Sequence, residues 1–248
     1  MAWADYSVMA AGLLLAYVIR GIVGFGSAMV AVPILSRYFP VSEVVPGVML
    51  IDYVAALQLS WGKRSSGVDK QEILRLLPYS LVGCVTGVCL LATTDNTLMM
   101  QALSVVVIVF GAYYAIKPDA IPVLSERWAP LAGFSGGATG AMFGVSAPPY
   151  IIYLAGRLRD VTALRSTFSF LARFDGAFRI VFMVILGLML KLIVLKVFLL
   201  GLVCCVAGLW LGDKLHGRLP AQSAMRCVGG VIALLGVALL LNGRPPFI

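Results

Sequence analysis

The chain has 248 residues, of which 61% are hydrophobic and 12% charged, with mean hydropathy +1.00 and a formal net charge of +8. A soluble domain carries about 25% charged residues, so this composition excludes an ordinary soluble enzyme or nucleic-acid-binding module. It points to an all-α, polytopic membrane protein whose basic excess reflects Lys/Arg enrichment in cytoplasmic loops. The opening Met1-Ala2-Trp3-Ala4-Asp5 lacks the basic start of a cleaved signal peptide.

Apolar windows of spanning length fall at 6–36, 44–61, 73–93, 97–116, 128–156, 166–190, 193–212 and 221–242. Charged connectors separate them at 62–72, 117–127, 157–165 and 213–220. The first window is interrupted by Arg20-Gly21-Ile22-Val23-Gly24-Phe25-Gly26-Ser27, with Pro33 following. The fifth is interrupted by the run Gly133 to Gly144, which ends in Val145-Ser146-Ala147-Pro148-Pro149. A bilayer offers no water to a free backbone N–H or C=O, so irregular chain survives there only when buried in protein or lining a wet cavity. Gly83-x-x-x-Gly87 and Gly208-x-x-x-Gly212 are small-residue spacings that let helices approach closely.

The windows describe an internal repeat, about 6–116 and 128–242, within a single membrane transport domain 1–248. Each half holds one broken segment and three helices, and matching Gly24 to Gly140 also matches Pro33 to Pro149 at an offset of 116. The basic residues test how the broken segments run. With Arg20, Arg173 and Arg179 set aside as intramembrane, 16 of the 19 Lys/Arg remain. Single crossings divide them 9 against 7; breaks that double back divide them 12 against 4, with Arg37, Lys191, Lys196 and Arg244 as the minority. The positive-inside rule favours the second arrangement, either as a re-entrant hairpin or as two short crossings. Each half then changes face an odd number of times. The repeats are therefore expected to be inverted, with both termini periplasmic, a build found in secondary transporters.

Broken helices present unpaired N–H groups at positively polarised N-terminal ends, and glycine lets an anion approach the backbone. Two such ends, at Gly24–Ser27 and Gly144–Ala147, would make an anion site, with Ser27, Ser135, Thr139 and Ser146 as hydroxyl donors. Intramembrane charges are costly unless they face a cavity or a partner. Arg20 either lends its charge to an anion or snorkels to the surface. Asp52 lies near the centre of its window, and Asp175 and Arg179 stand four apart with Arg173 nearby. Asp175 and Arg179 read either as a plain i,i+4 ion pair or, with Asp52 and Arg173, as groups for proton coupling or gating in which Asp52 or Asp175 takes up the proton. The five cysteines lie in apolar segments and read as packing residues. The lone His216 supports neither a metal site nor a catalytic triad, and no cofactor is expected.

The run 21–35, Gly-Ile-Val-Gly-Phe-Gly-Ser-Ala-Met-Val-Ala-Val-Pro-Ile-Leu, resembles the opening signature of the TauE/SafE family of sulfite exporters and anion permeases. Gly140-Ala141-Met142-Phe143-Gly144-Val145-Ser146-Ala147-Pro148-Pro149, continuing to Tyr153-Leu154, is similar to its second signature, and Arg165-Ser166-Thr167 resembles the start of the helix that follows. Ser27-Ala28 and Ser146-Ala147 stand where many relatives have glycine. The resemblance covers about 8–242 and implies transport of a small sulfur-containing or organic anion, commonly outward.

The expected function is that of a secondary transporter exporting sulfite, sulfoacetate or a similar sulfonate across the inner membrane by alternating access, driven by membrane potential or a proton gradient. An anion channel, or a carrier of a small carboxylate, would use the same paired breaks. The substrate-binding residues expected are Arg20, Gly24, Phe25, Gly26 and Ser27 from the first break and Gly140, Gly144, Ser146, Pro148 and Pro149 from the second. Partners are the anion, the lipid bilayer and, as a candidate, a second copy of the chain.

Overall fold

A computed structural model describes residues 3–60, 67–116, 123–216 and 221–241. Lys63, Arg64, Lys117, Arg218 and Arg244, counted above, lie outside the described residues, as do both ends of the chain. The described residues form ten α-helices, with a short 3₁₀ turn at Glu126–Trp128, and no strand. In chain order these are α1 (Trp3–Val23), α2 (Ser27–Leu35), α3 (Val41–Ser60), α4 (Lys70–Thr93), α5 (Asn96–Ile116), α6 (Ala129–Phe143), α7 (Ala147–Arg157), α8 (Val161–Ile185), α9 (Leu192–His216) and α10 (Ala221–Leu241). By length and composition, α4, α5 and the Leu192–Lys214 part of α9 are apolar enough to cross a membrane, and Met9–Ile22 and Arg226–Leu241 are shorter apolar helices.

Local chemistry places the boundaries. Asp69 and Asp160 cap α4 and α8: the Asp69 carboxylate accepts the N–H groups of Gln71 and Glu72 at 2.9 and 3.1 Å, and Asp160 accepts those of Thr162 and Ala163 at 3.1 and 3.0 Å. These caps start α4 and α8 earlier than the apolar windows indicated. Gly187, at φ 72°, lies in the turn that follows α8 and ends it before the apolar run stops. α6 closes at Gly144 (φ 74°) in an αL turn, the Gly144 N–H bonding the Gly140 carbonyl at 2.9 Å and the Val145 N–H reaching back to the Thr139 carbonyl at 3.3 Å. α1 and α2 are separated by Gly24 and Gly26, at φ 91° and 93°, a conformation that side chains with a Cβ rarely adopt.

Both breaks double back. Ile34 of α2 lies directly against Gly12 of α1, and the Tyr150 ring of α7 lies against Gly136 of α6. α2 and α7 have 9 and 11 residues. They are thus about 13 and 16 Å long and fall well short of a ~30 Å hydrocarbon core. Each is a half-length arm that returns along its own broken helix.

The order of elements repeats. α2 starts at Ser27 and α7 at Ala147, α3 at Val41 and α8 at Val161, a common spacing of 120. The same spacing sets Gly24 against Gly144, both with positive φ. The offset of 116 paired prolines that are not equivalent: Pro33 is the seventh residue of α2, whereas Pro149 is the third of α7.

Packing follows the repeat reciprocally. α1 packs on α9 and α6 on α4; α3 touches α9 and α8 touches α4; α5 pairs with α10. Gly87 of α4 meets Ala138 and Ala141 of α6, while Gly212 of α9 meets Val18 and Gly21 of α1, partners again 120 apart. Gly111 sits on Gly229 and Ala233, and Gly236 on Ser104 and Ile108. The Gly-x-x-x-Gly spacings therefore seat each broken helix on a helix of the other half, where a missing Cβ lets backbones meet.

The connectors gather at two ends. At one, the Asp69 N–H donates to Thr167 Oγ1 at 3.0 Å, the Leu124 N–H donates to the Gly156 carbonyl at 3.0 Å, and Gly67 lies beside Ala163. At the other end of α4, the Val41 N–H donates to Asn96 Oδ1 at 2.8 Å, and Lys191 pairs with Glu43 at 3.1 Å. Arg37, Lys191 and Lys196 belong with this sparsely basic end, while Lys70, Arg75, Arg127, Arg157, Arg159 and Arg165 belong with the first. For these nine residues the division is the one expected from doubled-back breaks.

Candidate functional site

Arg20 stands in the last turn of α1, one turn before the break. Its Nη1 lies 2.8 Å from Asp52 Oδ1 on α3 and donates to Ser27 Oγ, the first residue of α2, at 2.8 Å; Nη2 donates to the Asp52 carbonyl at 3.2 Å. Asp52 Oδ1 also accepts the Ser27 hydroxyl at 2.7 Å and the Tyr17 hydroxyl at 2.9 Å. The Arg20 Nε is buried with no hydrogen-bond partner. Arg20 is thus paired with Asp52 and largely covered, its side chain 12% exposed. Beside this cluster, the side of Gly24 and of Gly26 that a Cβ would occupy is open, with no atom within 4 Å. Phe25, between them, packs its ring on Tyr114 of α5 at 5.4 Å.

The second break is tighter. Gly144 faces Ala28 in the first turn of α2, where an added Cβ would stand 2.9 Å away, so the two breaks touch. The two helix ends differ as donors of N–H groups. α2 begins Ser27-Ala28-Met29, and the Met29 N–H already bonds the Gly26 carbonyl at 3.1 Å. α7 begins Ala147-Pro148-Pro149, and proline has no N–H. Among the described residues, the first-turn N–H groups of Ser27 and Ala28 at α2 and of Ala147 at α7 bond no backbone carbonyl. Pro148 and Pro149 are buried, and Ser146 is half-buried and makes no capping bond. Ser135 donates its hydroxyl to the Leu131 carbonyl at 2.6 Å, and Thr139 donates to the Ser135 and Val145 carbonyls, both at 2.7 Å. Those two hydroxyls brace α6 and its turn.

Asp175 and Arg179 do form the i,i+4 ion pair, and both are buried. Asp175 Oδ1 accepts the Ser80 hydroxyl at 2.6 Å, and Ser80 Oγ lies 2.7 Å from the Tyr150 hydroxyl. The Arg179 guanidinium rests directly on Gly140. Arg173 does not join them: its Nε turns back to the Ser169 carbonyl of its own helix at 3.4 Å. Tyr53, next to Asp52, touches Gly176, next to Asp175, so the two clusters flank the crossing of α3 and α8.

Glu72 is a polar group that the sequence reading left inside a connector. It is 3% exposed. Its Oε1 accepts from Arg75 Nη1 at 2.8 Å and from Arg157 Nε at 2.9 Å, and its Oε2 accepts the Tyr153 hydroxyl at 2.7 Å. Arg75 also pairs with Glu126. The network ties the end of the returning arm α7 to the start of α4. A helical signal existed, since Glu72 and Arg75 are three apart just after a capping Asp69. The pairing with Arg157 needs the fold. Among the described residues no group of three His, Cys, Asp or Glu is placed to hold a metal.

The model of the family described as sulfite exporter TauE/SafE matches residues 8–239. Comparison with curated proteins found no match, and comparison with solved structures found none. With ten described helices, two returning arms and a match over nearly its whole length, this chain belongs to the sulfite exporter TauE/SafE family and is a multi-pass membrane protein of exporter-type transport.

Proposed function

We propose that the chain is a secondary transporter that exports a small organosulfur anion, such as sulfite, sulfoacetate or a similar sulfonate, across the inner membrane by alternating access. The anion binds between the breaks, using Arg20, the Ser27 and Ala28 N–H groups, and the backbone of Gly24–Gly26 and Gly144–Ala147. The observation that carries this reading is Arg20 bonded to Ser27 at 2.8 Å, beside two glycines with open space on their unsubstituted side. A full positive charge and a helix N-terminus then converge on one point that an anion can approach closely. Asp52 balances Arg20 in this arrangement, so the anion competes with Asp52 for the guanidinium, and its departure restores the pair.

The two halves are inverted repeats of one transport domain, with the termini periplasmic and the more basic end cytoplasmic. Support comes from the reciprocal packing and from the unequal distribution of Lys/Arg between the two ends. An inside-negative potential contributes about 2.3 kcal/mol per 100 mV for each negative charge moved outward, so export of an anion needs no tightly coupled ion. Reconstitution into proteoliposomes tests the reading. Saturable, trans-stimulated sulfoacetate or sulfite flux is expected, and linear ohmic conductance would contradict a carrier.

A further inference from the structure

The spacing of 120 that relates α1–α3 to α6–α8 sets Arg20 of the first half against Gly140 of the second. Gly140 leaves a gap where the first half has a long cationic side chain. That gap is filled: the Arg179 guanidinium, reaching over from α8, occupies the space directly on Gly140. Both halves therefore place a guanidinium in the last turn of the broken helix, one carried by that helix and one supplied by its neighbour.

The surroundings match as well. Each guanidinium pairs with an aspartate on the third helix of its half, Asp52 on α3 and Asp175 on α8. Each aspartate accepts a serine hydroxyl, Ser27 at 2.7 Å and Ser80 at 2.6 Å, and each cluster includes a tyrosine hydroxyl, from Tyr17 and Tyr150. In both arginines Nε is buried without a hydrogen-bond partner. Unpaired buried donors are rare and call for an explanation. Replacing a buried ion pair with apolar residues is often neutral or stabilising, so packing alone gives little reason to build the same arrangement twice by different routes.

We propose that Arg179 is the second arginine of the anion site, so that a three-oxygen head group is held by two guanidiniums, one from each half. This rests on the function proposed above and adds the residue that gives the second break its positive charge. The ligand class it selects is a sulfonate or sulfite, whose oxygens can engage two separate guanidiniums. Each arginine alternates between its aspartate and the anion.

Binding of sulfite and of sulfoacetate to the purified full chain in nanodiscs, by titration calorimetry with thermal unfolding run alongside, tests the assignment. Lysine keeps the charge but loses the planar fork. R179K is therefore expected to raise Kd about tenfold, as R20K does, while the protein stays folded. D175N removes the competitor for Arg179 and is expected to lower Kd severalfold. A purely structural pair predicts no gain in affinity for D175N, the loss of thermal stability from breaking a buried pair being common to both readings. Wild-type binding that R179K and D175N leave unchanged overturns this proposal alone. Wild-type protein that binds neither probe overturns the substrate class and this proposal together.

Discussion

The two breaks occupy equivalent places in their halves yet are built for different loads. The first has two left-handed glycines with open space beside them and its own arginine. The second has one left-handed glycine packed on Ala28, a proline pair that removes N–H donors, and an arginine borrowed from α8. Asp175 is fully buried, whereas the Asp52 side chain is 19% exposed. The first break is thus the accessible face of the proposed site, and the second is its braced wall.

Glycine-to-alanine exchanges give the sharpest contrast. At Gly137 an added methyl collides with the Ser80 carbonyl, and at Gly83 with that of Phe134, both backbone atoms that cannot swing aside. Each change is expected to cost about 3 kcal/mol, the upper end for overpacking, seen as loss of monodisperse protein or a large fall in unfolding temperature. Gly26→Ala meets no neighbour and bears only the strain of a left-handed backbone, about 1–2 kcal/mol. Equal losses at Gly137 and Gly26 would remove the distinction between wall and opening.

Next come the arginines. Arg179→Ala leaves Asp175 charged and fully enclosed with only Ser80 to bond it, and breaking such a pair costs about 3–5 kcal/mol. Arg20→Ala is expected to cost less in thermal unfolding, because Asp52 keeps Tyr17 and Ser27 as donors and has partial access to solvent. A larger loss at Arg20 would reverse the ranking. Glu72→Gln is smaller again, about 1–3 kcal/mol, since Arg75 and Arg157 are each about a quarter exposed and can be hydrated. Single cysteines perturb least. Those at Val123 and Arg159 should label from one side of the membrane and those at Arg37 and Asp95 from the other, and labelling from a common side would contradict the doubled-back breaks.

The helices were readable because apolar runs, glycines and aspartate caps act locally. The window 97–116, for example, became α5 at Asn96–Ile116. The breaks were readable for the same reason, since three glycines within six residues are costly in a smooth helix. The i,i+4 pair Asp175–Arg179 follows from helical pitch. What escaped depends on pairing between distant segments. Arg20 meets Asp52 only because α1 and α3 are brought together at the break, and Glu72 meets Arg157 across 85 residues. The repeat register is not legible from residue identity: Pro33 and Pro149 stand 116 apart, whereas the helix starts, and hence the N–H donors, are spaced by 120.

The central claim, that the anion binds at the opening beside Gly24, is tested most directly by sulfoacetate flux through proteoliposomes carrying Gly24→Asp, with Gly24→Asn as the uncharged control. Asp and Asn both tolerate left-handed backbone better than other residues with a Cβ, and the space there is open, so both variants should fold like the parent chain. The account predicts that the aspartate lowers flux at least about tenfold, by repelling the anion and competing for Arg20, while the asparagine retains most of it. Flux through Gly24→Asp equal to that of the parent chain, at equal protein in the bilayer, would contradict it.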